Sequence, residues 1–322
     1  MDLSFITPAA GLVGLVAALA LAVLVVRERR SQRICDELGL TPGGVRAAFP
    51  PAAAIGLVGL FLGLAAAQPV VSGIRPLQGR TDAEVIVVFD ITKSMTAAAE
   101  VGAKTRFERA IDAAKRLRAS LPTVPVGVAT ITDRTLPHLF PTTSTNAFTA
   151  TLDNAVGIER PPPDRLGRGR ITSLGALSTL GTHNFFSRAA KKRVAVVFTD
   201  GESVQFDRGT LFARFFRGRV SPVFVHVWGP EERVFTRDGV PERLYRPDPT
   251  SRDVLDELAE LLRGETVAED EIDVALRAVQ RRIGKGRLAK RGEELQATEL
   301  APHAAFAALL PLAFLLWRRN LR

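Results

Sequence analysis

The run EVIVVFDITKSM at residues 84–95 joins a buried strand to a polar loop. Glu84–Phe89 is a continuous branched apolar segment without the alternation of a half-exposed strand, so it reads as a strand covered on both faces. It runs straight into Asp90, with hydroxyls following at Thr92 and Ser94. The same pattern returns at Val194–Phe198 (VAVVF), which leads directly into Thr199-Asp200-Gly201-Glu202. Further strands are expected at Val126–Ile131, Leu136–Phe140 and Val223–Val227. Between them lie amphipathic helices at Arg106–Leu121, Asn146–Val156, about Ser173–Phe186, Arg252–Leu262 and Ile272–Ile283. Strands and helices in this alternation predict a doubly wound α/β domain with a mostly parallel sheet.

In an open α/β sheet, ligands bind beyond the carboxyl ends of the strands where strand order reverses. Asp90 and Asp200 both leave buried strands at such ends, and Thr172 stands between them in sequence at an expected helix start. Positions i, i+2 and i+4 of a loop leaving the sheet can converge on one point. Carboxylate and hydroxyl oxygens, with no His or Cys among them, suit a hard cation; Mg²⁺ is expected, with Mn²⁺ and Ca²⁺ as alternatives. The competing structural reading is that Asp90 and Asp200 cap helices while Thr92 and Ser94 bond to turn amides.

Asp-x-Thr-x-Ser, a helix-start Thr and a later strand-Asp-Gly resemble the metal-ion-dependent adhesion site of von Willebrand factor A domains. FDITKSM, TRFERAIDAAKRL, ITSLGAL and VVFTDGE together are similar to the bacterial Bat-type, or aerotolerance-operon, membrane proteins. The resemblance implies that Ser94, Thr92 and Thr172 offer hydroxyls to the ion, with Asp90 and Asp200 acting directly or through water. That family more often has Ser where this chain has Thr92, which keeps the hydroxyl and adds a methyl. Sites of this kind leave one position open for an acidic side chain of a protein partner. The resemblance also implies other von Willebrand factor A membrane proteins and a MoxR-type AAA+ ATPase as partners.

Outside this domain, apolar runs at about residues 5–26, 52–71 and 301–317 of the 322 read as membrane-crossing helices. The run Ala65-Ala66-Ala67 also fits a cleavage site, against which the preceding basic loop favours a retained anchor. Expected organisation is two N-terminal helices within 1–71, an α/β domain at 72–283, a tether at 284–300, a last helix at 301–317 and a basic tail at 318–322. Arg27, Arg29, Arg30, Arg33 and Arg46, with Arg318, Arg319 and Arg322, place that loop and tail in the cytoplasm by the positive-inside rule. The α/β domain is then extracytoplasmic on a multi-pass membrane protein.

The net charge of +9 does not point to nucleic acid, because over half of it lies in the loop and tail and the chain has one Tyr for stacking. The basic cluster Arg281–Arg291 reads as a solvated tether face with lipid headgroups as the other candidate. Cys35, the single cysteine, allows no intrachain disulfide. Arg165, Arg168 and Arg170 beside Thr172 are candidates for a rim that attracts an acidic partner, although arginines in a Pro/Gly loop are more often solvated. Lys93 is expected to face solvent, Glu202 to sit at a helix start, and His226 to be a satisfied core residue. The expected function is metal-dependent protein binding without catalysis. The alternatives are a metal-assisted hydrolase, which needs a general base beside a metal-bound water, and a purely structural ion.

Overall fold

The computed structural model describes residues 2–39, 44–160, 172–182 and 184–321. The chain folds as two compact units, Met1–Arg75 with Glu293–Arg322, and Pro76–Gly292.

The first unit opens with strand β1 (Asp2–Phe5), a 3-10 turn (Pro8–Leu15) and helix α1 (Val16–Glu37), followed by α2 (Gly44–Ala66) and strand β2 (Pro69–Arg80). β1 and β2 are antiparallel, with Asp2 opposite Ser72 and Phe5 opposite Pro69. Helical segments Pro8–Cys35, Phe49–Ala66 and Ala301–Asn320 are long and apolar enough to cross a membrane. The first carries on through Arg27–Arg33, so most of that basic stretch is helical and not a loop. The second ends at Ala66 and not at residue 71, because Gln68 takes φ +50° and Pro69 begins β2. Gly59 lets the apolar segments approach closely: a Cβ there would strike Ala17 and lie 2.8 Å from the Gly14 carbonyl.

The second unit contains β3 (Ala83–Asp90), α3 (Arg106–Ala119), β4 (Val126–Ile131), β5 (Thr135–Thr142) and α4 (Thr145–Asn154). It continues through a 3-10 segment (Leu174–Gly181), β6 (Lys192–Thr199), α5 (Arg208–Gly218), β7 (Val220–His226), α6 (Ser251–Leu262), β8 (Glu265–Ala268) and α7 (Ile272–Ile283). The sheet order is β5-β4-β3-β6-β7-β8, parallel throughout except for β5. This is the expected doubly wound sheet. In-register pairs Val87–Val128 and Val87–Val196 place β3 at its centre. Side chains alternate between two cores: Val85, Val87 and Phe89 join α3, α4 and α7, while Ile86 and Val88 join α5, α6 and Leu174–Leu180. α3 starts on a capping box between Thr105 and Glu108, which satisfies two amides that helix ends leave free.

Four further differences from expectation bear on the layout. The helix expected over 173–186 is the shorter Leu174–Gly181, whose end is crowded because a Cβ on Gly181 would strike the Arg214 carbonyl. α5 and the four-residue β8 were not foreseen. The expected tether contains β9 (Leu288–Glu299), which joins a three-stranded sheet in the order β1-β2-β9 before helix α8 (Ala301–Leu321). In the first unit, α2 packs against α1 and α8, with Ala54, Ala304 and Ala308 buried.

Candidate metal centre

Strand order reverses between β3 and β6: the chain leaves β3 for β4 on one side, and leaves β6 for β7 on the other. The crevice at their carboxyl ends is the position where this architecture binds ligands. Its floor is aromatic. Phe89 of β3 stacks on Phe198 of β6 at 5.5 Å, and Phe107 of α3 meets Phe89 edge-on at 6.3 Å. The next residue on β3 is Asp90, fully buried.

Both oxygens of Asp90 are occupied. Oδ1 accepts from the Thr92 amide at 3.0 Å and the Thr92 hydroxyl at 2.7 Å, which folds the chain into a tight turn. Oδ2 accepts from Thr172 at 2.9 Å and from Thr199 at 2.8 Å. The Thr92 Oγ1 also lies 3.1 Å from Ser94 Oγ and 2.9 Å from Thr172 Oγ1. Thr172 is held in place by a bridge to Ser203, reinforced by the Val204 amide on its carbonyl at 2.9 Å. Lys93–Thr96 then forms a 3-10 turn that brings Ser94 back over the crevice.

Asp200 comes from the other side. Its Oδ1 accepts from the Glu202 amide at 3.0 Å, and the nearby Ser94 hydroxyl eases the charge on the carboxylate. Gly201 has φ +77°, and a Cβ there would lie 2.5 Å from the Ser251 carbonyl, so only glycine fits this turn. His226 Nε2 lies 3.0 Å from the Asp200 carbonyl and 3.1 Å from Ser251 Oγ.

A buried guanidinium stands beside the carboxylates. Arg106, the first residue of α3, has no exposed surface. Its Nη1 donates to Asp200 at 3.0 Å, to Glu202 at 3.2 Å and to the Tyr245 hydroxyl at 2.8 Å, while Nε donates to Glu232 at 2.6 Å. Arg109, one turn on, joins Glu232 to Glu269. Four carboxylates (Asp200, Glu202, Glu232 and Glu269) thus share two guanidiniums, and Asp90 adds a fifth that is buried on hydroxyls and an amide, an excess of negative charge. Burial, and then the neighbouring Asp200, pushes the Asp90 carboxyl up to about 7. Asp200 is also raised by burial, against the pull of Arg106, and Glu202 by burial and the adjacent Asp200. Burial works against the charge on Arg106, but Asp200, Tyr245 and Glu232 hold its proton more tightly than usual. Carboxylates driven towards protonation by their surroundings are the donor set that a divalent cation relieves.

Asp90, Thr92, Ser94, Thr172 and Asp200 are therefore gathered at one place. Arg165, Arg168 and Arg170 lie outside the described residues. Lys93 is not simply solvated: it pairs with Glu242. Glu202 is not at a helix start, since α5 begins at Arg208 on an Asp207 cap; it accepts from Arg106 and from Tyr245 at 2.9 Å. His226 is buried, stacked on Trp228 and held neutral, with burial lowering its pKa to about 4. Sequence reading missed Thr199, Arg106, Glu232 and Tyr245. Only Thr199 had a signal, as the residue ending the strand before Asp200. The segment between β7 and α6 supplies Glu232, Val234, Glu242 and Tyr245, and a cleft of about 270 Å³ there opens onto Ser94 and Thr172. Among the described residues no three His, Cys, Asp or Glu converge as a metal cluster, so the hydroxyls are essential to any ion bound here.

A family profile for the von Willebrand factor type A domain matches residues 85–202, from β3 through Asp200. A search of curated proteins finds no match. Among solved structures, the chain is similar to the conserved hypothetical protein BatB from Bacteroides thetaiotaomicron, with 19% identity and a TM-score of 0.53. The alignment covers 63% of this chain and 100% of that one. It is also similar to an aerotolerance-related membrane protein from Bacteroides fragilis NCTC 9343, with 19% identity, a TM-score of 0.50, and coverage of 62% and 98%. At such identity the likeness concerns the fold, which both share. Residues 85–202 thus match the von Willebrand factor type A domain, on a chain whose fold is similar to that of Bat-type membrane proteins.

Proposed function

We propose that this chain is a membrane-anchored, multi-pass protein whose von Willebrand factor A domain binds a protein partner through a divalent cation, without catalysing a reaction. The observation that carries this reading is the convergence of Asp90, Thr92, Ser94, Thr172 and Asp200 at the reversal point of the sheet, beside a cleft lined by Ser94 and Thr172. Hydroxyls and two carboxylates are oxygen donors for Mg²⁺, which keeps water in part of its shell. The ion would supply a Lewis-acidic position for a partner's Asp or Glu, and the chain's own residues would fix its place. Positive-inside charge supports a domain facing away from the cytoplasm. The Bat-type resemblance makes related von Willebrand factor A membrane proteins and a MoxR-type ATPase reasonable partners, by analogy alone.

A hydrolase would need a free base at the cleft. His226, which touches the Asp200 carbonyl and Ser251, is buried and occupied there, which favours the binding reading. The test is calorimetric titration of the full chain in detergent with Mg²⁺, Mn²⁺ and Ca²⁺, beside Asp90→Ala and Thr172→Ala. One saturable site, lost in both variants, is expected, followed by Mg²⁺-dependent capture of a partner. A folded wild-type chain that binds none of the three ions would sink the reading.

A further inference from the structure

The opposite end of the sheet has a different chemistry. The amino ends of β6 and β7, with the carboxyl ends of α5, α6 and α7, enclose a cleft of about 370 Å³. Lys191, Lys192, Arg193, Arg219, Arg263 and Arg282 line it. Asp82 and Glu265 at this end are already held, by Arg80 and by Arg281 with Arg282. Lys191, Arg193, Arg219 and Arg263 have no carboxylate partner among the described residues; Arg193 spends its donors on the Ala190, Gly218 and Ser187 carbonyls. Beside these cations, Phe212 and Phe216 lie exposed on α5, stacked at 5.9 Å.

Two backbone details set this end apart. Arg219 and Arg263 close α5 and α6 in the left-handed conformation, at φ +52° and +53°. Glycine is the unstrained residue there. An arginine in its place puts a guanidinium at the rim of the cleft, at two successive helix ends. The second detail is where the chain enters and leaves the domain. Lys191 and Lys192 donate their amides to the Asp82 carbonyl, just before β3, and Lys192 Nζ donates to the Ile283 carbonyl at 2.7 Å, at the end of α7. The cationic cleft is therefore at the end of the domain where both connections to the apolar helices emerge.

We propose that this face docks on anionic phospholipid headgroups of the membrane that carries those helices. Cations without acidic partners meet the headgroup phosphates, and the exposed aromatic pair suits the boundary between headgroup and acyl chain. The metal centre lies at the opposite, carboxyl end of the same strands. This inference stands without the metal site.

The test uses the full chain in lipid nanodiscs. Cys35→Ser removes the single cysteine, and Phe216→Cys accepts an environment-sensitive nitrobenzoxadiazole label in place of an exposed aromatic ring. In discs containing phosphatidylglycerol, the label is expected to shift to the blue and be quenched by headgroup spin labels, with reversal at high salt. In phosphatidylcholine alone it should stay solvated. Arg219→Gly with Arg263→Gly removes two charges at positions that favour glycine, so misfolding is not at issue. Each cation near an anionic surface is worth roughly fivefold in partitioning, so the pair should lower the docked-to-free ratio about 25-fold. Equal quenching in both lipids, or quenching unchanged in the double variant, would overturn the proposal. So would a saturable label shift with polyglutamate in neutral discs and none with anionic lipid, which would assign the face to an acidic protein.

Discussion

The two ends of one sheet handle charge in opposite ways. At the carboxyl end, Asp90, Asp200 and Arg106 have no exposed surface and are held by hydroxyls, amides or an opposite ion, with carboxylates outnumbering guanidiniums and Arg106 Nη2 left without a partner among the described residues. At the amino end, Lys191, Arg219 and Arg263 are exposed and need no such partners, because water screens them. Buried charge has to be matched where it stands, which makes its surroundings rigid and every group in them costly to remove. Exposed charge is held loosely and can be removed with little effect on folding.

The contrast is broken most directly at Arg106. Arg106→Met would leave Asp200, Glu202 and Glu232 without their shared cation and should destabilise the domain by about 3–5 kcal/mol. Thermal unfolding in detergent reads this, and a loss under 1 kcal/mol would mean the carboxylates are already neutral in the folded state. His226 comes next. Its folded pKa of about 4 lies below its ordinary 6.5, so the stability it contributes is complete above pH 6.5 and is lost as pH falls towards 4. That window is worth up to roughly 3 kcal/mol in denaturant unfolding, and His226→Gln should flatten it. Gly201→Ala forces a Cβ into the Ser251 carbonyl at a positive φ and should cost about 2 kcal/mol. At the amino end the sign reverses. Arg219→Gly and Arg263→Gly should each raise stability by about 0.5 kcal/mol, relief of the left-handed strain outweighing the lost helix-end charge. A marked loss in either would mean that the guanidiniums support the fold.

The sheet and the five oxygen-bearing residues were legible because each signal is local. A buried strand of five or six apolar residues ending in Asp marks its own place at the sheet edge, and it does so at both Asp90 and Asp200. Arg106 was hidden because it looks like the first residue of an amphipathic helix; its acids lie 94, 96 and 126 positions away. Glu232 and Tyr245 sit in a long segment without periodicity, so nothing in the sequence brings them to the cleft. α5 was overlooked since Phe212 and Phe216 face outward and blur the apolar stripe that marks a helix. β9 escaped notice for a related reason: a polar strand gets its identity from its partner, and the sequence LAKRGEELQATE has no apolar alternation to reveal it.

Arg80 has one more consequence. Its guanidinium donates to the Ile283 carbonyl at 3.0 Å, fastening the start of the domain to its finish. A body whose two ends meet can be removed from a chain, or replaced by another of different content, while the segments on either side are spliced with a short join. Such a layout makes the domain an interchangeable cassette. New recognition surfaces could then be installed on an old anchor by recombination, with no need to redesign the apolar helices that hold it.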